Sequence, residues 1–157
     1  MRAPGRSESG VVRPARPHGG RPILLATLGV PFEPAAATLA VDAAVEAGQP
    51  LVVANVVELE LLPLSFVLGY DEIDERPEDQ EAILAPTVLA RSLGVTVERL
   101  RVRSLHPVDA LLQVAAERAP ALLVFGPDRT RLRPRRYRKA AREIRERAAC
   151  LVWLAGD

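Results

Sequence analysis

The chain has 157 residues, of which 48% are hydrophobic and only 4% aromatic, so it is long enough for one domain whose core is built from Ala, Val, Leu and Ile. Cys150 is the only cysteine, and His18 and His106 are the only histidines. An intramolecular disulfide and a cysteine-based zinc site are therefore excluded, and neither histidine has a second ligand at metal-binding spacing. The single cysteine also favours a reducing, cytoplasmic compartment.

Charge is distributed unevenly, although the net charge is only +1. Residues 1–128 carry 11 basic and 17 acidic side chains, whereas residues 129–147 carry 10 basic and 2 acidic ones. Nearly all the basic residues are arginines, which suit bidentate contacts with carboxylates and phosphates. A genome of high GC content would enrich arginine without any function, so both explanations stay open.

The N-terminal region is rich in Arg, Pro, Gly and Ser and contains no apolar run of the kind found in signal peptides. We therefore expect a disordered tail over residues 1–20 and one α/β domain over residues 21–157. The longest apolar stretch, residues 59–68, is interrupted by Glu60 and Pro63 and is too short to span a bilayer. No membrane segment is predicted.

The first predicted elements are a strand and a helix. Residues 22–28 (PILLATL) are apolar without alternation, which is typical of a strand covered on both faces. A helix over residues 34–47 is indicated by Pro34 at its start and Gly48 after its end. The apolar positions of this helix are Leu39, Val41 and Val45.

A second buried strand is predicted over residues 51–57, followed by a long loop. The next helix should start near Pro77, because acidic residues then lie in its first turn, and it should end at Gly94 with a kink at Pro86. Its apolar side is predicted from Ile83, Leu89 and Leu93.

The second half of the chain continues the alternation of strands and helices. Residues 95–102 are more polar, as suits an edge strand, whereas residues 121–125 (ALLVF) should lie centrally in the sheet. A helix is predicted over residues 107–118, and a strand over residues 150–155 ends the domain. Between the last two strands, an apolar helical stripe is formed by Tyr137, Ala141, Ile144 and Ala148.

Five strands alternating with four helices predict a parallel sheet with right-handed crossovers and helices on both faces, a Rossmann-like architecture. Ligands of such sheets bind outside the carboxyl ends of the strands, at the point where the strand order reverses. Any ligand-binding or catalytic residues are therefore expected in the loops after the first and fourth strands.

Three segments resemble the universal stress protein family, of the UspA type. ILLATLGVPFEPAAATLAVDAA resembles the family's first strand and helix, HPVDALLQVAAERAPALLVFG its third helix and fourth strand, and CLVWLA its last strand. The resemblance covers about residues 22–155 and implies the strand order 3-2-1-4-5. It also implies dimers that pair through the last strand.

Family members that bind ATP carry an Asp after the first strand and a Gly-x-x-Gly, nine-residue gap, Gly-Ser/Thr motif after the fourth. Here Leu28 stands at the Asp position, Gly126 matches the first glycine and Arg129 stands at the second. The third glycine falls on Arg138 or Lys139, and the Ser/Thr position on Lys139 or Ala140. A loop with bulky arginines and two prolines cannot cradle a triphosphate through its backbone, so we expect no ATP cofactor.

No nucleophile elbow, P-loop or dinucleotide fingerprint is present, and no catalytic residue or metal ligand is predicted. We therefore interpret the chain as a non-enzymatic stress-response or regulatory protein that forms a homodimer through an apolar edge at Leu151, Val152, Trp153 and Leu154. The alternatives are a small hydrolase and a regulator that binds a nucleotide or another anion through residues 129–147. The candidate anion contacts are Gly126, Arg129, Arg131, Arg138 and Lys139.

The last helix has a basic face at Arg135, Arg138, Arg142 and Arg145. It is either a solvated surface, offset by pairs of Glu143 with Arg147 and Glu146 with Arg142, or an anion site for a phosphorylated ligand or an acidic protein. Nucleic acid is disfavoured, because only Tyr137 is available nearby for base stacking. The acidic run Asp71 to Glu81 could neutralise the arginines at 129, 131 and 133.

Overall fold

The computed structural model describes residues 20–59 and 77–156. Residues 1–19 of the predicted tail and most of the acidic run lie outside these residues. The described strands are β1 (Ile23–Thr27), β2 (Leu51–Glu58), β3 (Val97–Ser104), β4 (Leu122–Phe125) and β5 (Leu151–Leu154). The described helices are α1 (Pro34–Ala47), α2 (Pro77–Ser92), α3 (Pro107–Arg118) and α4 (Pro134–Arg147).

All strand pairs are parallel, and the strand order is β3-β2-β1-β4-β5, which confirms the predicted topology. β1 lies in the middle and pairs with β2 on one side and β4 on the other. Its five residues are all buried, as expected for a strand covered on both faces. β3 and β5 are the two edges of the sheet.

The sheet separates two hydrophobic cores. Alternate residues of a strand point to opposite faces, so Leu24 enters the core beneath α3 and α4, whereas Leu25 enters the core beneath α1 and α2. Aromatic residues are few in both cores, and α1 approaches the sheet through the small side chains Ala36, Ala40 and Ala44. None of the helices in the described part is long and apolar enough to cross a membrane.

The ends of α1 and α3 agree with the predicted residues 34–47 and 107–118, but some predicted core positions were wrong. Val45 of α1 is 44% exposed, Leu89 of α2 is 42% exposed, and Leu93, just after the end of α2, is 51% exposed. The buried positions of α2 are instead Pro86, Thr87 and Ala90. With 100° between successive residues, Leu89 lies far around the helix from Ile83, which does pack on the core.

Strand β3 starts two residues later than the predicted range 95–102. Its edge position explains the error, because the strand face that carries Val97 is otherwise occupied by arginines and no continuous hydrophobic run marks the ends of the strand. Leu100 and Val102 pack on the core beneath α3 and α4, whereas Arg101 between them is exposed.

Candidate functional site

The strand order reverses between β1 and β4, and the loops that follow these two strands are joined to each other. Phe32 and Pro127 form an isolated antiparallel bridge between the loops. Three backbone hydrogen bonds of 2.8–3.0 Å accompany it, donated by Gly126 to Ala26, by Glu33 to Gly126 and by Asp128 to Pro31. The crevice in which such sheets bind ligands is therefore closed by main-chain pairing at this point.

The loop after β4 also satisfies three of its own backbone donors, those of residues 130–132. Asp128 Oδ1 accepts hydrogen bonds from the backbone N–H and the hydroxyl of Thr130, at 2.9 and 2.6 Å. The carbonyl of Asp128 accepts from the N–H groups of Arg131 and Leu132. These N–H groups are thus not available to a phosphate, and the Asp128 carboxylate adds a negative charge beside them.

Arg129 is held against the body of the protein. Its guanidinium carbon lies 4.4 Å from the centroid of the Tyr137 ring, and Nη1 donates to the carbonyl of Gly156 at 3.4 Å. The Tyr137 ring stacks on Phe125 with centroids 5.8 Å apart, and its hydroxyl donates to the carbonyl of Ala155. This stack of Arg129, Tyr137 and Phe125 fills the space above β4 with the protein's own side chains.

Gly126, the match to the first motif glycine, has a packing role. A Cβ atom at this position would lie 2.2 Å from the Cβ of Ala36 in α1. Its N–H donates to the carbonyl of Ala26 in β1, and its carbonyl accepts from the N–H of Glu33. The glycine is therefore explained by the close approach of α1.

The connection from β4 to α4 comprises only residues 126–133. The positions onto which the motif's third glycine falls, Arg138 and Lys139, consequently lie inside α4 rather than at its start. Leu28, at the Asp position, and Ala140 are each 2% exposed. The structure therefore does not bring the predicted anion contacts together around a phosphate loop.

An open cleft of about 590 Å³ lies between the N-terminal halves of α3 and α4, at the carboxyl ends of β1, β2 and β3. Its basic side chains are Arg135, Arg136 and Lys139, and its floor includes Leu28 and Ala140. Of the predicted anion contacts only Lys139 lines it. The predictions missed Arg136. Its Nη2 lies 2.9 Å from Glu58 Oε2 at the end of β2, and this ion pair joins residues that are far apart in the sequence, so only the tertiary fold reveals it.

Another ion pair joins α3 to α4. Arg147 Nη1 donates to Asp109 Oδ1 of α3 at 2.6 Å, rather than pairing with Glu143 as predicted. The hydrogen bond from Arg147 lowers the pKa of the Asp109 carboxyl, and burial opposes this shift. Within the described residues, no three side chains of the metal-ligand types come together.

The β5 edge differs from the predicted apolar surface at its last residue. Leu151 is 71% exposed and Val152 and Trp153 are half-buried, but Leu154 is only 6% exposed because it packs in the core beneath α4. Cys150, just before the strand, is half-buried, and burial raises the pKa of its thiol. The side chains available at this edge are therefore Leu151, Val152 and Trp153.

Comparison with known proteins identifies one family. The model of the universal stress protein family matches residues 20–155. No curated protein sequence matches the chain significantly.

Solved structures share the fold at low sequence identity. A protein of the universal stress protein family from Burkholderia pseudomallei is 20% identical, with a TM-score of 0.62 over 87% of this chain and 96% of that one. The universal stress protein UspA from Lactobacillus plantarum is 16% identical, with a TM-score of 0.64 over 85% and 96%. The universal stress protein from Archaeoglobus fulgidus in complex with dAMP is 22% identical, with a TM-score of 0.57 over 85% and 96%.

Proposed function

The chain belongs to the universal stress protein family, and from this membership we propose that it is a non-catalytic stress-response protein that acts in the cytoplasm by association. We further propose that it does not bind ATP in the family's mode. Its partner is a second copy of the chain, joined through β5.

The observation that carries the proposal is the closed crevice between β1 and β4. A nucleotide held there through backbone N–H groups would have to break the Phe32–Pro127 bridge and displace Arg129 from Tyr137. It would also need the backbone N–H groups of residues 130–132, which already donate hydrogen bonds to Asp128. Each of these changes opposes binding, because a hydrogen bond lost without replacement costs about 1–3 kcal/mol.

The β5 edge supports association. A parallel edge strand leaves half of its backbone donors and acceptors facing outward, and Leu151 adds an exposed apolar side chain beside them. A second β5 strand could satisfy these groups across a two-fold axis.

A second candidate function, the binding of a nucleotide or another anion, is favoured by the cleft between α3 and α4. Neither Arg135 nor Lys139 forms an ion pair within residues 20–59 and 77–156, and both line a space of suitable size for a small ligand. Although the Archaeoglobus fulgidus relative was solved with dAMP, an anion in this cleft would be contacted by side chains instead of a glycine loop.

Native mass spectrometry of protein purified without added nucleotide tests both parts of the proposal, because it reports subunit number and bound nucleotide together. We expect a dimer that carries no nucleotide. Calorimetric titration with AMP and ATP at 0.15 M salt should then give no dissociation constant in the micromolar range. Micromolar ATP binding that persists both in the Arg138→Gln/Arg142→Gln variant and in an Arg136→Gln/Lys139→Gln variant would contradict the proposal, because such binding would depend neither on the exposed arginines of α4 nor on the cleft between α3 and α4.

A further inference from the structure

Helix α4 has two different flanks. The ion pairs of Arg136 with Glu58 and of Arg147 with Asp109 fix one flank toward α3 and the end of β2. Helical geometry places Arg138, Arg142 and Arg145 within about 60° of one another on the other flank. Because α3 packs over β2 and β3 while α4 packs on β5, this second flank faces the β5 edge.

The flank toward β5 is uniformly basic. Arg138, Arg142 and Arg145 are all exposed. Neither Arg138 nor Arg142 forms an ion pair with any described residue. Of the two carboxylates on α4, Glu143 lines the cleft on the α3 side, and Glu146 is exposed and lies about 80° around the helix from Arg138. The edge used for pairing is thus bordered by a row of positive charge.

Pairing through β5 would bring two such rows together. Two-fold symmetry places both α4 helices on the same face of the continuous sheet. Paired strands lie about 4.8 Å apart and packed helices about 8–10 Å apart, so the two basic flanks would meet across the axis. Like charges at this distance oppose association unless something neutralises them.

We propose that the dimer contains an anion site between its two α4 helices, built from Arg138 and Arg142 of both copies, and that a linear oligophosphate occupies it. This inference rests on the dimer of the proposed function. Pairing and oligophosphate binding are then thermodynamically linked, since the site is complete only in the dimer.

The shape of the flank favours an oligophosphate over a single phosphate group. Arg138 and Arg142 are four residues apart, which corresponds to about 6 Å along the helix, and the two-fold axis brings the same pair from the second copy beside them. A chain of phosphoryl groups can follow this length and offer each guanidinium two oxygens, whereas one phosphate monoester reaches only part of it.

Sedimentation velocity of the full chain, with and without sodium tripolyphosphate, tests the inference. At matched ionic strength we expect tripolyphosphate to lower the dimer dissociation constant by about tenfold or more, which corresponds to about 1.4 kcal/mol. Calorimetry should give one tripolyphosphate per two chains. The Arg138→Gln/Arg142→Gln variant should dimerise without tripolyphosphate and should no longer respond to it.

The matched control is Arg136→Gln/Lys139→Gln, which removes two positive charges from the side of the same helix that faces α3 and should respond like the parent. A parent dimer that NaCl strengthens as much as tripolyphosphate, or that neither changes, would refute the anion site and leave the proposed dimer standing. A parent that stays monomeric in 0.5 M NaCl and with tripolyphosphate would instead refute pairing through β5 itself.

Discussion

Replacing Gly126 by alanine tests the packing of the joined loops. The new methyl group would lie 2.2 Å from the Cβ of Ala36, whereas carbon atoms in contact are about 3.5–4.0 Å apart. One of the two elements must therefore move by more than 1 Å. The backbone of Gly126 is bonded to Ala26 and to Glu33, so neither β1 nor the start of α1 can yield easily.

Overpacking of this kind costs about 1–3 kcal/mol, and the constrained backbone places Gly126→Ala toward the upper end of that range. Urea denaturation followed by circular dichroism measures the loss in the free energy of unfolding. A double-mutant cycle with Ala36→Gly isolates the contact: Ala36→Gly alone should destabilise by about 1 kcal/mol, because glycine disfavours helix. The double variant should be more stable than additivity predicts, since the new methyl group occupies the vacated space.

Gly48→Ala is the control for this cycle. Gly48 ends α1 with φ +63°, and no atom lies within 4 Å of an added Cβ, so its cost comes from backbone conformation alone and should add to that of Ala36→Gly. If Gly126→Ala changes stability by less than about 0.5 kcal/mol, or shows no coupling to Ala36→Gly, the packing explanation of this glycine is refuted.

Two further predictions concern the β5 edge and the α3–α4 ion pair. Leu151→Lys places a charge at the edge without disturbing the core and should shift the dimer toward monomer in sedimentation runs. The control Val88→Lys changes a residue that is 66% exposed on α2 and should not shift the dimer. Equal behaviour of the two variants would argue against pairing through β5. Arg147→Gln should raise the pKa of Asp109 toward its ordinary value in an NMR titration. The folded pKa of Asp109 is depressed, so the contribution of this pair to stability is present at pH values above the unfolded pKa. It is lost as the pH falls through the folded pKa. An unchanged pKa of Asp109 in the variant would rule out Arg147 as the cause of the shift.

Much of the fold was predictable because proline and glycine mark the helix ends. Pro34 and Gly48 bound α1, and Pro107 starts α3, so these helices were located correctly. The inner face of α1 was harder to predict. Its contact with the sheet is made mainly by alanines, which carry little hydrophobic signal, and Val45 therefore stood out although it is exposed.

The candidate site was predictable only as a departure from the family motif. Leu28 and Arg129 showed from the sequence that two of the motif residues are missing. The features that fill the space instead are tertiary. Backbone hydrogen bonds between two loops do not require particular residue types and so cannot be predicted from the sequence. The stacking of Arg129 on Tyr137 depends on the direction in which α4 leaves the loop.

The short connection between β4 and α4 bears on how this domain could acquire a glycine loop. Restoring Asp at position 28 and glycine at position 129 would leave α4 starting at Pro134, inside the stretch that the motif uses as its gap. Chain that is already wound into a helix cannot serve as a turn around a phosphate. Conversion would require either an insertion before Pro134 or the unwinding of the first turns of α4, which would release Tyr137 from its stack. Point substitutions alone therefore cannot rebuild the loop, and a laboratory selection for nucleotide binding should yield length variants in residues 126–133.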